Sequence, residues 1–271
     1  MLRRCRPLLG TFVEIAADGE AAIEASFAAI AEVHRLMSAH EPDSDLSRIN
    51  RRAHAAPVEV HGWTARVLER ALFWARESAG AFDPVRAGKA AIESRYLPIH
   101  PHQPRPEAGH WSWLELQGSS VRLLKPGCVD LGGIAKGFAV DKAIEALRRA
   151  GMERGLVNAG GDMAAFGPEP WPVQIADPRT RSPLVEIHLD NEALATSAML
   201  GGKWDHLPGA DHRWLSASVR ARSAMDADAL TKVLLAGSPR ARHCLELARG
   251  DAFRISEDGS IEEFDREVVA A

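Results

Sequence analysis

The chain has 271 residues, 46% of them apolar and 26% charged, with a formal net charge of −4. That length supports a substantial buried core in one large domain or two small ones, and the charge balance leaves no whole-chain footprint for nucleic acid or anionic lipid. The three cysteines, Cys5, Cys128 and Cys244, lie far apart without CxxC or metal-ligand spacing, which argues against a disulfide framework or a zinc site and fits a reducing compartment.

In chain order, Met1-Leu2-Arg3-Arg4-Cys5 is basic and then apolar, but Pro7 and Gly10 interrupt the run before it reaches the length of a secretory h-region. No apolar stretch approaches the roughly 18 residues that span a bilayer. The expectation is a cytoplasmic, unanchored protein with no integral membrane segment. Leu8 to Ala16 reads as a strand, and Glu20 to Ala39 as a helix with Ile23, Phe27, Ile30, Val33 and Met37 on one stripe. A polar turn, Glu41 to Asp45, leads into Leu46-Ser47-Arg48-Ile49-Asn50. A second amphipathic helix spans Thr64 to Ser78 and stops at Gly80.

After a loop rich in Pro and His (97–110), Trp111 to Gln117 and Val121 to Leu124 form an expected hairpin around Gly118-Ser119-Ser120. The segment Val129 to Gly137 opens a helix running to Ala150, and short strands dominate from Gly155 to Val219. Helices follow at Met225 to Ala236 and Pro239 to Ala248, then strands at Ala252 to Ser256 and Ser260 to Phe264. Strands come in runs beside long helices rather than in strict alternation, so the expected fold class is α+β.

Three segments carry chemistry. In Asp130-Leu131-Gly132-Gly133-Ile134-Ala135-Lys136-Gly137, paired glycines precede a helix whose first N–H groups attract phosphate, and Lys136 adds a cation. The spacing is neither GxxxxGK[ST] nor GxGxxG, and a tight turn where glycine relieves strain is an equally good reading. Asn158-Ala159-Gly160-Gly161-Asp162 follows an apolar run, so it reads either as a polar rim reaching a ligand or as a hairpin turn needing positive φ. In Met225 to Lys232, helical spacing puts Asp228, Thr231 and Lys232 on one face and turns Asp226 elsewhere. A carboxylate beside a hydroxyl is half of a Mg²⁺ site, and the alternative is an exposed Asp228–Lys232 ion pair. His100, His102 and His110 lack fixed spacing, which favours a solvated loop over a metal site.

Taken together, these segments resemble the FAD:protein FMN transferases, the ApbE-type family. Met37 to Asn50 is similar to M-S-x-x-x-P-x-S-x-L-S-R-x-N, and Gly80-Ala81-Phe82-Asp83-Pro84 to G-x-F-D-P. Asp130 to Gly137 with Val140-Asp141 is similar to D-L-G-G-I-A-K-G-x-x-V-D. Asn158 to Asp162 follows N-x-G-G-D, Ala195-Thr196-Ser197 follows A-T-S, and Ala227 to Leu230 follows A-D-A-L. The six matches run in family order from residue 8 to 235.

The resemblance implies a single unit over 1–271 built from duplicated T-fold-like halves, 8–110 and 111–265, with the flavin site between them. It implies FAD contacts at Met37, Ala81, Phe82, Asp83, Asp130 and Lys136, and a Mg²⁺ ion held by Gly133 and Asp228, with Thr231 as a further ligand. The implied reaction transfers FMN from FAD to a Thr or Ser hydroxyl of an acceptor flavoprotein, releasing AMP. The alternatives are a FAD pyrophosphatase giving FMN and AMP, or a FAD-binding protein without turnover.

This sequence departs from the family pattern at three places. Lys232 stands four residues after the aspartate, where threonine is usual, so Thr231 replaces the ligand or Lys232 supplies positive charge itself. The family's H-x-x-D-P-x-T-G segment is reduced to Asp205-His206-Leu207-Pro208-Gly209-Ala210-Asp211, which leaves His206 as the acid–base candidate. Ala198 follows A-T-S where glycine is usual.

Overall fold

The computed structural model describes residues 1–85, 109–198, 211 and 213–265. An antiparallel sheet of eight strands forms its centre, in the order β1-β2-β6-β7-β10-β11-β12-β13. The hairpin β1 (Leu2–Leu8) and β2 (Thr11–Ala17) pairs through β2 with β6 (Gly155–Ala159), which turns back into β7 (Asp162–Phe166). Beyond β7 come β10 (Ala193–Ala198), β11 (Trp214–Ala221), β12 (Asp251–Ser256) and β13 (Ile261–Phe264). Alternation along the strands divides the core. Val157, Ala159, Ala164 and Phe166 join the main cluster with the helices, whereas Leu156, Met163 and Ala165 join a smaller cluster on the other side. That smaller cluster is closed by the hairpin β8 (Trp171–Ala176) and β9 (Pro183–Leu189).

The main cluster is built around α1 (Glu20–Met37), whose Ile23, Phe27, Ile30, Val33 and Met37 are buried along the expected stripe. Helix α1 packs against α4 (Ala135–Arg149), and Ser26 Oγ donates to the Ala143 carbonyl at 3.1 Å across that contact. A third small sheet, β3 (Val58–Glu59), β5 (Ser120–Leu123) and β4 (Leu114–Gln117), contains the expected hairpin, entered through a short 3₁₀ turn at Trp111–Trp113. Among the described residues no helix is long and apolar enough to cross a membrane.

Two elements were not expected from the sequence. The polar segment before residue 52 is a helix, α2 (Asp45–Arg52), started by Ser44, whose Oγ accepts from Ser47 N–H at 3.0 Å. Strand β1 escapes a periodicity reading because its side chains are almost all exposed. It is held by its ladder to β2 and by the pairs Arg3–Glu14, Arg4–Glu20 and Arg6–Glu24. The strand expected from Leu8 begins at Thr11 instead, because Leu9 and Gly10 make the turn with positive φ.

Long-range polar bonds fix α2, α3 (Gly62–Glu77) and α5 (Ala224–Leu235) around the glycine-rich segment. Asn50 donates through Nδ2 to the Val129 carbonyl at 2.9 Å and accepts Val129 N–H at 2.7 Å, so α2 clamps the approach to Asp130. Buried Asp45 accepts from His61 N–H at 2.8 Å and from Thr64 Oγ1 at 2.7 Å, tying α2 to the start of α3. Asp226 turns away from Asp228, as its helical phase requires, and takes Arg70 Nε at 2.6 Å and Trp74 Nε1 at 2.8 Å. Asp141 on α4 accepts the Ala224 and Met225 N–H groups at 2.8 and 3.0 Å, satisfying the open donors at the start of α5. At Gly137 a Cβ would lie 2.1 Å from the Ala224 carbonyl oxygen, so only glycine permits α4 and α5 to meet backbone to backbone.

Replacing Asn50 with Ala strands the Val129 N–H and C=O in the interior, each loss costing about 1–3 kcal/mol. The expected result is a lower urea midpoint with an unchanged denaturant slope. Burial pushes the Asp141 carboxyl up to about 7, with the two N–H bonds from Met225 and Ala224 pulling against it. Its folded form therefore keeps a proton that the unfolded chain releases at about pH 4, and the associated stability is lost as pH rises through the folded value. Melting temperatures of wild type and Asp141→Asn between pH 5 and 8 check this: wild type falls relative to the variant as pH rises.

Candidate functional site

The β6–β7 turn, the start of α4 and the middle of α5 converge on four charged side chains. Gly160 and Gly161 have φ of +65° and +100°, so the hairpin reading of N-x-G-G-D is correct for the glycines, and Asn158 Oδ1 accepts Gly161 N–H at 3.0 Å. The same turn delivers Asp162 to the interior, where its Oδ2 accepts from Lys136 Nζ at 2.5 Å. Asp162 Oδ1 is buried with no hydrogen-bond partner. Across from it Asp228, fully buried, accepts Gly137 N–H at 3.2 Å through Oδ2 and the Lys232 ammonium through Oδ1.

The Asp228–Lys232 ion pair is present, but it lies in the interior rather than on a solvated face. Lys232 Nζ also donates to the Asp228 carbonyl at 3.1 Å and to Ser197 Oγ at 3.0 Å. Thr231 Oγ1 donates to the Asp228 carbonyl at 2.7 Å and lies 2.8 Å from Ser197 Oγ. Burial raises the Asp162 carboxyl above its ordinary range, the nearby Asp228 charge reinforces it, and the two lysines oppose it. For Asp228 burial also pushes upward, but Lys232 and Lys136 together outweigh it and hold the carboxyl below the usual range. Two carboxylates thus face two lysine side chains, a formally balanced set of charges.

Of the remaining expected site residues, Gly133 and Phe82 lie beside the Lys232 stem. A Cβ on Gly133 would come 3.2 Å from Lys232 Cε and 3.3 Å from Phe82 Cε2, so the lysine stem and the Phe82 ring both lie against that glycine. Asp83 accepts Val85 N–H at 2.8 Å and Trp111 N–H at 3.1 Å, while Asp130 accepts Gly132 N–H at 2.8 Å. Asp130 N–H donates to the Pro84 carbonyl at 2.8 Å, which joins the two loops although they are distant in sequence. Ala81 packs half-buried on the core, and Met37 closes the end of α1 within it. His206, His100 and His102 lie outside the described residues, and His110 accepts Ser112 N–H at 3.2 Å. Ser197 is the functional candidate that sequence reading missed. It lies in the A-T-S segment, and its approach to α5 follows from the β10 register.

Gly133, Asp228 and Thr231 therefore come together, but around Lys232. With both Asp228 oxygens and the Thr231 hydroxyl engaged, this donor set does not fit a divalent ion. A dication would also add two positive charges to a group already balanced. Among the described residues there is no cluster of three or more His, Cys, Asp or Glu side chains able to hold a metal.

Comparison with known proteins bears on the family and the fold. The family model described as "ApbE family" matches residues 9–253. A FAD:protein FMN transferase of Treponema pallidum is 31% identical over 167 residues, covering 56% of this chain and 46% of that protein. One of Haemophilus influenzae is 30% identical over 205 residues, covering 68% and 59% respectively. The chain thus spans about half the length of these relatives. In three dimensions it resembles the flavin transferase ApbE of Vibrio cholerae, with a TM-score of 0.82, 24% identity, and coverage of 98% of this chain and 97% of that one. It also resembles the ApbE protein of Thermotoga maritima, with a TM-score of 0.81, 23% identity, and coverage of 97% and 96%. These likenesses establish the α+β fold, and with the match over residues 9–253 they show that the chain belongs to the ApbE family.

Proposed function

We propose that this protein is an enzyme that transfers FMN from FAD to a threonine or serine hydroxyl of an acceptor protein, with release of AMP. The observation that carries the reading is the pairing of the buried carboxylates Asp162 and Asp228 with Lys136 and Lys232 at a glycine-rich helix start. Family membership and the activity by which its relatives are named support it. In this reaction the acceptor oxygen bonds to the FMN phosphorus as the phosphoanhydride bond to AMP breaks, and the hydroxyl proton goes to a base or to solvent. Catalysis of this kind depends on positioning and on positive charge near the phosphates.

In this reading Phe82 and Gly133 border the flavin-nucleotide cleft, and the α4 N-terminus with Lys136 faces the phosphates. Asp162 and Asp228 hold the two ammoniums in place. The Asp83 and Asp130 turns shape the cleft wall through the bond between their loops. The wide spacing of Cys5, Cys128 and Cys244, without CxxC, supports work in a reducing compartment such as the cytoplasm.

The test is incubation of the purified protein with FAD, Mg²⁺ and a domain carrying an acceptor threonine, followed by intact mass spectrometry and AMP assay. The expected result is an acceptor mass gain equal to FMN with matching AMP release. AMP without any acceptor would point to a pyrophosphatase instead, and bound FAD without AMP to a binding protein. Lys136→Met is expected to lower the transfer rate at least about tenfold while the fold persists, the scale for loss of one charged donor in a preorganised site. Circular dichroism and single-turnover transfer check the two halves of that statement.

A further inference from the structure

We infer that Lys232 is the resident cation of this site, and that its ammonium occupies the position a divalent ion would otherwise take. Its three hydrogen-bond partners are the kinds of oxygen that hard cations select: a carboxylate at Asp228, a backbone carbonyl at Asp228 and a hydroxyl at Ser197. A second hydroxyl, from Thr231, lies 2.8 Å from Ser197 Oγ, on the rim of the same cage. The lysine stem lies against Gly133, where a Cβ would come 3.2 Å from Lys232 Cε, so the ammonium reaches these oxygens from α5 itself.

Charge reinforces the geometry. Asp162 and Asp228, both buried, face Lys136 and Lys232, so the group carries two formal charges of each sign. Removing the Lys232 charge leaves one carboxylate in excess within a cage of hard oxygens, and an unpaired buried carboxylate draws in a cation. The chain therefore does not need a divalent ion here, and a variant without the ammonium acquires a binding site for one. The inference concerns the same site as the proposed function and rests on that reading only in placing the ammonium near phosphates.

The test is titration of the full chain with Mn²⁺, without FAD, followed by electron paramagnetic resonance of free Mn²⁺. Thermal melts with and without Mg²⁺ accompany it. Wild type is expected to take up no Mn²⁺ at this site and to melt at the same temperature with or without Mg²⁺. Lys232→Ala is expected to bind one Mn²⁺ at least about tenfold more tightly than wild type, and to gain about 5 °C on adding saturating Mg²⁺. Both gains should vanish in Asp228→Asn/Lys232→Ala.

One Mn²⁺ bound by wild type and lost in Asp228→Asn would overturn the inference. So would a folded Lys232→Ala that binds none. If Lys232→Ala does not fold without metal, Lys232→Thr restores a hydroxyl and carries the same comparison. In transfer assays wild type should resist EDTA, whereas the Lys232 variants should require Mg²⁺. Failure of wild type to transfer FMN under any condition would overturn the proposed function and leave the Mn²⁺ result standing.

Discussion

Asp228 is wholly removed from water, and a carboxylate in that position must find its compensation inside the protein. It does so twice, through the Gly137 N–H and through the Lys232 ammonium. The first bond exists only because α4 and α5 approach backbone to backbone, and that approach exists only because residue 137 has no side chain. Asp141, one turn further along α4, then satisfies the open N–H groups of α5. Contact, cap and buried charge thus form one connected unit, and the strands β7 and β10 bring Asp162 and Ser197 to its open side.

The loops around this unit are arranged by the same means. Asn50 clamps Val129, Pro84 receives the Asp130 N–H, and Asp83 collects the N–H groups of Val85 and Trp111. The Asn50–Val129, Asp83–Trp111 and Pro84–Asp130 bonds span long sequence separations and satisfy backbone groups that would otherwise lack partners. Asp83, expected as a flavin contact, and Asn50 therefore both serve to hold these loops in place.

Much of this was legible in the sequence because it is written in local periods. The stripe on α1 and the phase that separates Asp226 from Asp228 follow from helical geometry alone. The positive-φ reading of Gly160 and Gly161 is equally local. Strand β1 was not legible because an edge strand with exposed arginines carries no apolar alternation. Helix α2 was missed because it is short and its buried Leu46 and Ile49 are interleaved with polar residues, Asp45 and Asn50, whose partners are distant in sequence. The burial of the Asp228–Lys232 pair and the arrival of Ser197 beside it depend on tertiary packing, which spacing along one helix cannot reveal.

Strand order has a consequence for how the protein is made. Residues 11–17 of β2 find their second neighbour only in residues 155–159 of β6, although β1 pairs with β2 at once. During synthesis the hairpin emerges early with Val13 and Ile15, both destined for the interior, still uncovered on a growing chain. Its open edge waits until residues 155–159 of β6 have been made, the period in which unpaired strands are exposed to wrong partners. Helix α1 arrives within that interval and can shelter the apolar face, but the edge stays open until β6 appears. The arginines of β1 keep the opposite border charged throughout, so the nascent sheet can extend in one direction only.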